Sequence, residues 1–234
     1  MDTSTTQSFR EATRVLVSVL APAERRTLRF LAARMPAWIN SDHLTSLAFV
    51  AMFGAGLSYW LSSVTPIGLP LAALCLAINW FGDSLDGTLA RFRNHQRPRY
   101  GYYVDHIVDT FGALFVIGGL ALSGYMSTPV AAVLLIAYFM MSIEVFLAAH
   151  VLGEFKITYF HVGPTELRIL LSIGSLWLLV RPDVTLFGHS FRLFDVGAVV
   201  GSVGLLVTLI VTAVRHTRAL YLAEPIPGRG DAGP

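Results

Sequence analysis

Lysine is almost missing from this chain: of its 17 basic residues only Lys156 is a lysine, and the others are arginine. Cysteine is scarcer than in most proteins of 234 residues. Cys75 stands alone, which excludes a disulfide within the chain. It lies in an apolar run, where packing between helices is its expected role. Charge of either sign is thin, at 14% of residues, whereas an ordinary soluble domain carries about 25%. The net charge of +2 says little about partners. No internal repeat is present, and nothing resembles a nucleic-acid module. The first residues lack a basic stretch leading directly into an apolar core and a small-residue cleavage site, so no signal peptide is expected.

What the chain has in quantity is apolar sequence. It is 54% hydrophobic with a mean hydropathy of +0.62. Six stretches read as membrane helices: 44–61, 69–92, 103–125, 130–152, 163–180 and 196–214. The first, at about 18 residues, is near the lower limit for crossing a bilayer. Asn40 or Ser41 is placed to cap it. Pro164 and Glu166 suit the first turn of the fifth helix. Ahead of these spans, Arg25, Arg26, Arg29 and Arg34 alternate with Leu28, Phe30, Leu31 and Met35. That pattern predicts an amphipathic basic helix within 9–35, interrupted at Pro22. It either lies on the membrane surface or packs on the bundle. The expected fold is therefore an all-α integral membrane protein with six transmembrane helices after an amphipathic interfacial helix. Its expected parts are a juxtamembrane segment at 1–40, a transmembrane catalytic domain at 41–215 and a flexible tail at 216–234. Six spans put both termini on one side. Every Lys and Arg except Arg181 and Arg192 then falls on that side, which the positive-inside rule makes cytoplasmic.

The acidic residues are not spread evenly. Gly82 to Asp109 holds Asp83, Asp86, Asp105 and Asp109 between two apolar runs. Acidic groups at a membrane helix end are costly and point to function. Asp83 and Asp86 are three apart on one helix, and Asp105 and Asp109 four apart on the next, so each pair shares a face. If the helices are antiparallel, the four carboxylates can converge. They would then repel unless protonated or metal-bound. Oxygen-only ligation suits Mg2+ or Mn2+.

The pattern Asp83-x2-Asp86-Gly87-x2-Ala90-Arg91-x9-Gly101-x3-Asp105-x3-Asp109 closely resembles the signature of the CDP-alcohol phosphotransferases, integral membrane enzymes of phospholipid synthesis. Likeness in helix number and topology extends over roughly 36–215. The resemblance implies transfer of a phosphatidyl group from CDP-diacylglycerol to a polar alcohol, with release of CMP. It implies that Asp83, Asp86, Asp105 and Asp109 bind metal, as two ions, and that Asp109 is also the general base. It further implies a homodimer in the bacterial inner membrane with its active site facing the cytoplasm. Gly87 and Gly101 would let nucleotide and phosphate approach the backbone. Ala90 would keep that face shallow, and Arg91 would bind phosphate. Gly87 and Ala90 also suit helix packing, and Arg91 also suits a topology anchor.

Outside the motif, Glu166 and Arg168 are candidates for the acceptor pocket, or else a charge pair at a helix end. Glu144, inside the fourth helix, needs a partner, and Arg168 is one option. His106 is either a donor behind the metal ligands or a packed ring. Two other functions keep a place: transfer of a phospho-alcohol from CDP-ethanolamine or CDP-choline to diacylglycerol, and divalent-cation transport. The second of these predicts carboxylates near the bilayer middle on several helices.

Overall fold

The computed structural model describes residues 20–152 and 163–224, together with the backbone of 13–14 and 154–155. The elements, in chain order, are β1 (Thr13–Arg14), α1 (Ala21–Arg34), α2 (Ser41–Leu61), α3 (Gly68–Phe92), α4 (Pro98–Ser123), α5 (Thr128–Leu152), β2 (Glu154–Phe155), α6 (Pro164–Trp177), β3 (Asp183–Leu186), β4 (His189–Arg192) and α7 (Leu193–Ala223). β1 and β2 pair in parallel, and β3 and β4 form a hairpin. The all-α membrane class fits. Of the expected juxtamembrane segment and tail, residues 1–12, 15–19 and 225–234 lie outside the described residues, as does Lys156.

Helix boundaries follow local chemistry. Asn40 caps α2: its Oδ1 accepts from the His43 amide at 3.0 Å, and the Asn40 amide donates to His43 Nδ1 at 3.2 Å. Pro98 opens α4 rather than sitting in a loop, so the helix begins five residues earlier than its hydropathy suggested. At the first helical position a missing N–H costs nothing. Gly124 ends α4 in the left-handed conformation at φ 81°. Pro22 stands in the first turn of α1 and does not interrupt it. α7 continues nine residues past the expected end at Val214. Residues 216–223 are thus helical rather than tail, and His216 among them bonds Glu144 of α5 at 2.6 Å. That histidine, not Arg168, is the partner of Glu144.

Among the described residues, five helices are long and apolar enough to cross a membrane: α2, α3, α4, α5 and α7. The shortest, α2, has 21 residues and spans about 31 Å at 1.5 Å per residue, which matches a hydrocarbon core of about 30 Å. The expected fifth span is a 14-residue helix, α6, about 21 Å long. Polar Thr165, Glu166 and Arg168 occupy its first turns, so its apolar part is shorter still.

α2 is the common neighbour of α3 and α4. Small residues permit this. A Cβ on Gly119 would stand 2.2 Å from the Gly56 carbonyl oxygen, and one on Gly56 would stand 2.4 Å from that of Phe115. The α2–α4 crossing is therefore a backbone-to-backbone contact. Toward α3, a Cβ on Gly82 would lie 2.6 Å from the Leu44 oxygen, and Cys75 Sγ sits against Gly54. The chemistry of Cys75 is packing, as its surroundings in the sequence indicated. One buried cluster, including Tyr59, Leu69, Leu76, Val116, Leu120 and Phe194, fills the half of the bundle away from the motif. A second joins Leu28 and Ala32 of α1 to Leu44, Leu85 and Leu89. α1 therefore packs on the bundle with its buried stripe, while Arg25, Arg26, Arg29 and Arg34 are exposed. Arg93 fastens the α1–α2 connection by donating to the carbonyls of Met35, Pro36 and Ile39.

Gly119→Leu should separate α2 from α4 and lower the unfolding midpoint in detergent, since overpacking costs about 1–3 kcal/mol. Gly101→Ala should cause no loss, because a Cβ there meets nothing within 4 Å. Equal losses in the two variants, measured by thermal unfolding, would rule out the packing account.

Candidate active site

The motif occupies the last turns of α3 and the first turns of α4. A cleft of about 620 Å³ opens between them. Asp83, Asp86 and Asp105 line it together with Gly87, Ala90, Arg91, Gly101 and His106. Thr45 enters from α2, Glu24 and Arg25 from α1, and Thr165, Glu166 and Arg168 from α6. A smaller basic hollow with Arg93, His95 and Arg97 adjoins it and shares Ser41, Asp42 and Ala90.

Each carboxylate of α3 has its own partners. Asp83 Oδ2 accepts from Arg168 Nη2 at 2.6 Å, in a pair with little exposure on either side. Asp86 Oδ2 accepts from Thr45 Oγ1 at 2.6 Å, and its Oδ1 from the Gly87 amide. Ser41 Oγ donates to the Asp86 carbonyl at 2.9 Å. These bonds join the start of α2 to the end of α3, as antiparallel neighbours allow. The charges of Asp83 and Asp105 both bear on Asp86, so the cleft concentrates negative charge.

Asp109 is placed differently. It is exposed and is not among the residues lining the cleft. Its charge bears on Tyr138 of α5, as do those of Asp83 and Arg168. Three of the four expected carboxylates thus share one cleft, and the fourth stands beside it. Among the described residues, no three Asp, Glu, His or Cys side chains converge as a cation site. The donor set itself, carboxylate oxygens in a cleft of excess negative charge, fits a hard divalent cation.

The two motif glycines leave room rather than pack helices. A Cβ on Gly101 would meet nothing, and the nearest group to one on Gly87 would be the Arg91 guanidinium at 3.4 Å. Arg91 is exposed at the cleft. His106 is set between Tyr102 and Phe146 with centroids 4.1 and 4.6 Å away, its Nδ1 meets the Tyr102 carbonyl at 2.5 Å, and it lines the cleft. Glu166 spends Oε2 on the Gly163 amide at 3.0 Å and Oε1 on the Leu20 amide at 3.2 Å. It holds the start of two helices. Arg168 is the member of that pair that reaches a motif aspartate.

Reading the sequence missed Thr45, Ser41, Glu24 and Thr165. Their only signal was being polar at helix ends on the side of the motif.

The profile of the CDP-alcohol phosphatidyltransferase family matches residues 38–214. The chain is also similar to an archaetidylinositol phosphate synthase of Pyrococcus horikoshii (strain ATCC 700860 / DSM 12428 / JCM 9974 / NBRC 100139 / OT-3), at 29% identity over 104 residues. Those residues are 44% of this chain and 52% of the relative, so the match spans about half the length of the curated relative. The family consists of membrane transferases of substituted phosphate groups and is generally dependent on a divalent metal. With about three-quarters of its length inside that profile, and with the motif's carboxylates lining one cleft, the chain belongs to the CDP-alcohol phosphatidyltransferase family.

Proposed function

We propose that this protein moves a phosphatidyl group from CDP-diacylglycerol to a polar alcohol and releases CMP. The observation that carries the reading is the gathering of Asp83, Asp86 and Asp105 with Arg91 and Gly101 in one cleft at the ends of α3 and α4. Carboxylates clustered at one helix end beside an arginine suit a nucleotide diphosphate better than a transport path through the bilayer. With α6 and its closing turn to Val180 counted as a sixth, short crossing, the arginine distribution supports both termini and the cleft on the cytoplasmic side, with α1 at the membrane surface.

In the reaction, the acceptor's hydroxyl oxygen attacks the phosphorus that carries diacylglycerol. The bond from that phosphorus to the CMP oxygen breaks, and CMP leaves with the electron pair. The hydroxyl proton passes to Asp109, which stands beside the cleft one helical turn beyond Asp105, about 6 Å along the axis, so the acceptor's hydroxyl enters from that side. Asp83, Asp86 and Asp105, with Asp109 from beside the cleft, would hold Mg2+ or Mn2+ as two ions, and these would supply charge stabilisation to the diphosphate. Arg91 binds phosphate, and the open backbone at Gly87 and Gly101 admits the nucleotide. Arg168 faces the acceptor from α6, while Glu166 keeps α6 in place. The relative's name favours an inositol phosphate as acceptor. The protein works as a homodimer in the inner membrane of a bacterium.

The direct test offers labelled CDP-diacylglycerol with inositol phosphate, glycerol phosphate, inositol or serine, then separates the lipid products by thin-layer chromatography. A new phospholipid and CMP are expected with one acceptor in Mg2+ or Mn2+, and neither in excess chelator. Product from CDP-ethanolamine or CDP-choline and diacylglycerol, with none from CDP-diacylglycerol, would reverse donor and acceptor.

Asp109→Asn keeps the size of the side chain and removes its basicity. Turnover should fall at least ~100-fold, the usual scale of general-base catalysis, with CDP-diacylglycerol still bound. Near-normal turnover under saturating Mg2+ would remove Asp109 from the role of base.

Arg91→Ala should weaken CDP-diacylglycerol roughly 10- to 100-fold, since a hydrogen bond to a charged group is worth about 1.5–3 kcal/mol. Unchanged affinity in a direct binding assay would leave Arg91 as a topology anchor.

A further inference from the structure

The carboxylate of Glu24 is shared among three helices. Its Oε1 accepts from Trp80 Nε1 at 2.9 Å and Ser84 Oγ at 3.2 Å, both on α3, and from Thr165 Oγ1 at 2.7 Å, on α6. The group is partly buried at the edge of the cleft. Three donors from two other helices on one carboxylate oxygen are more than helix packing requires. Burying an acidic group at a membrane surface is costly, and these bonds offset the cost.

The partners of Glu24 are neighbours of the site. Ser84 follows Asp83 in sequence, and Thr165 precedes Arg168 by about one turn. Arg168 and Asp83 are themselves joined at 2.6 Å. α3 and α6 are thus bridged twice, once directly and once through Glu24. The link from α1 is reciprocal, because Glu166 of α6 accepts from the Leu20 amide at the start of α1. The start of α1 holds the start of α6, and the start of α6 holds the start of α1.

We propose that Glu24 is a positioning residue that fixes the first turn of α6 against α3, and so sets where Arg168 stands in the cleft. The catalytic consequence rests on the cleft being the active site; the mechanical one does not. Glu24 touches no reacting atom. It acts through Thr165 on one side and Ser84 on the other. The Leu28 and Ala32 contacts of α1 anchor the helix that carries it.

The experiment uses the full chain in detergent or proteoliposomes, as wild type, Glu24→Ala, Glu24→Gln and Thr165→Val. Hydrogen–deuterium exchange of residues 163–170 is the first readout, because it needs no reaction. Glu24→Ala should speed exchange there by at least about tenfold, the scale of losing one charge-assisted hydrogen bond, with α2 and α4 unchanged. Glu24→Gln retains an oxygen acceptor and should restore most of the protection. Thr165→Val cuts only the α6 leg, leaves α1 on α3, and should loosen the same segment if Glu24→Ala fails to fold. In the transferase assay, Glu24→Ala should raise the acceptor KM several-fold with the donor KM unchanged. Adding Thr165→Val should bring little further loss, as expected for residues acting through one contact. Unchanged exchange at 163–170, or faster exchange spread evenly over α2 to α4, would overturn the positioning role. A normal exchange pattern of response with no transferase activity in the wild type would instead count against the proposed reaction, leaving the mechanical link established.

Discussion

Like charge crowded into one cleft is the constraint on which the rest of this structure depends. Asp83, on the same helix, and Asp105, from α4, both bear on Asp86 in the cleft between α3 and α4. Each additional negative group there raises the cost of the others. The chain meets that cost with partners from separate elements: Arg168 from α6 for Asp83, and Thr45 from α2 with the Gly87 amide for Asp86. The half of the bundle near the motif thus adds these polar contacts to the apolar cluster of Leu28, Leu44, Leu85 and Leu89. The far half is packed around Tyr59, Leu76 and Leu120, with one buried hydroxyl pair, Tyr59 and Ser175, at 2.7 Å.

This division suits the chemistry proposed for the cleft. A site that handles a charged diphosphate next to a membrane must be polar at its mouth and supported by rigid elements below. α2 provides the support. Gly56, Gly82 and Gly119 bring three helix backbones close together, so the carboxylates of α3 and α4 are presented from one compact unit. Gly87 and Gly101 have the opposite character, since the backbone beside them is open. The same residue type thus closes the interior in one place and leaves the cleft accessible in another, and the neighbours decide which.

α1 takes a larger part than an amphipathic helix resting on a membrane would. Its buried stripe lies on α3, and its arginines face outward. The Arg93 guanidinium holds the turn that follows it through three backbone carbonyls. An arginine whose presence in a basic loop read as a topology signal is, in the fold, also a clamp on the connection between α1 and α2. Its charge can serve the first purpose while its five donors serve the second.

The sequence by itself determined the class, the positions of the long helices and the eight-residue motif. Hydropathy runs mark spans without reference to any neighbour, because the bilayer sets the length. Asp83 with Asp86, and Asp105 with Asp109, share faces because helical spacing is local. A cap at Asn40 or Ser41, of which the structure uses Asn40, and Pro164 at a helix start were legible for the same reason. The shortness of α6, the extension of α7 and the pairing of Glu144 with His216 were not, because hydropathy does not register a polar contact made across the bundle. Only the tertiary structure decided that Arg168 meets Asp83 across 85 residues of chain, that Thr45 meets Asp86 across 41, and that Glu24 joins α1, α3 and α6. Spacing along a helix fixes which side chains share a face. Which helix that face meets depends on packing among small residues far apart in the chain, and that information is not local.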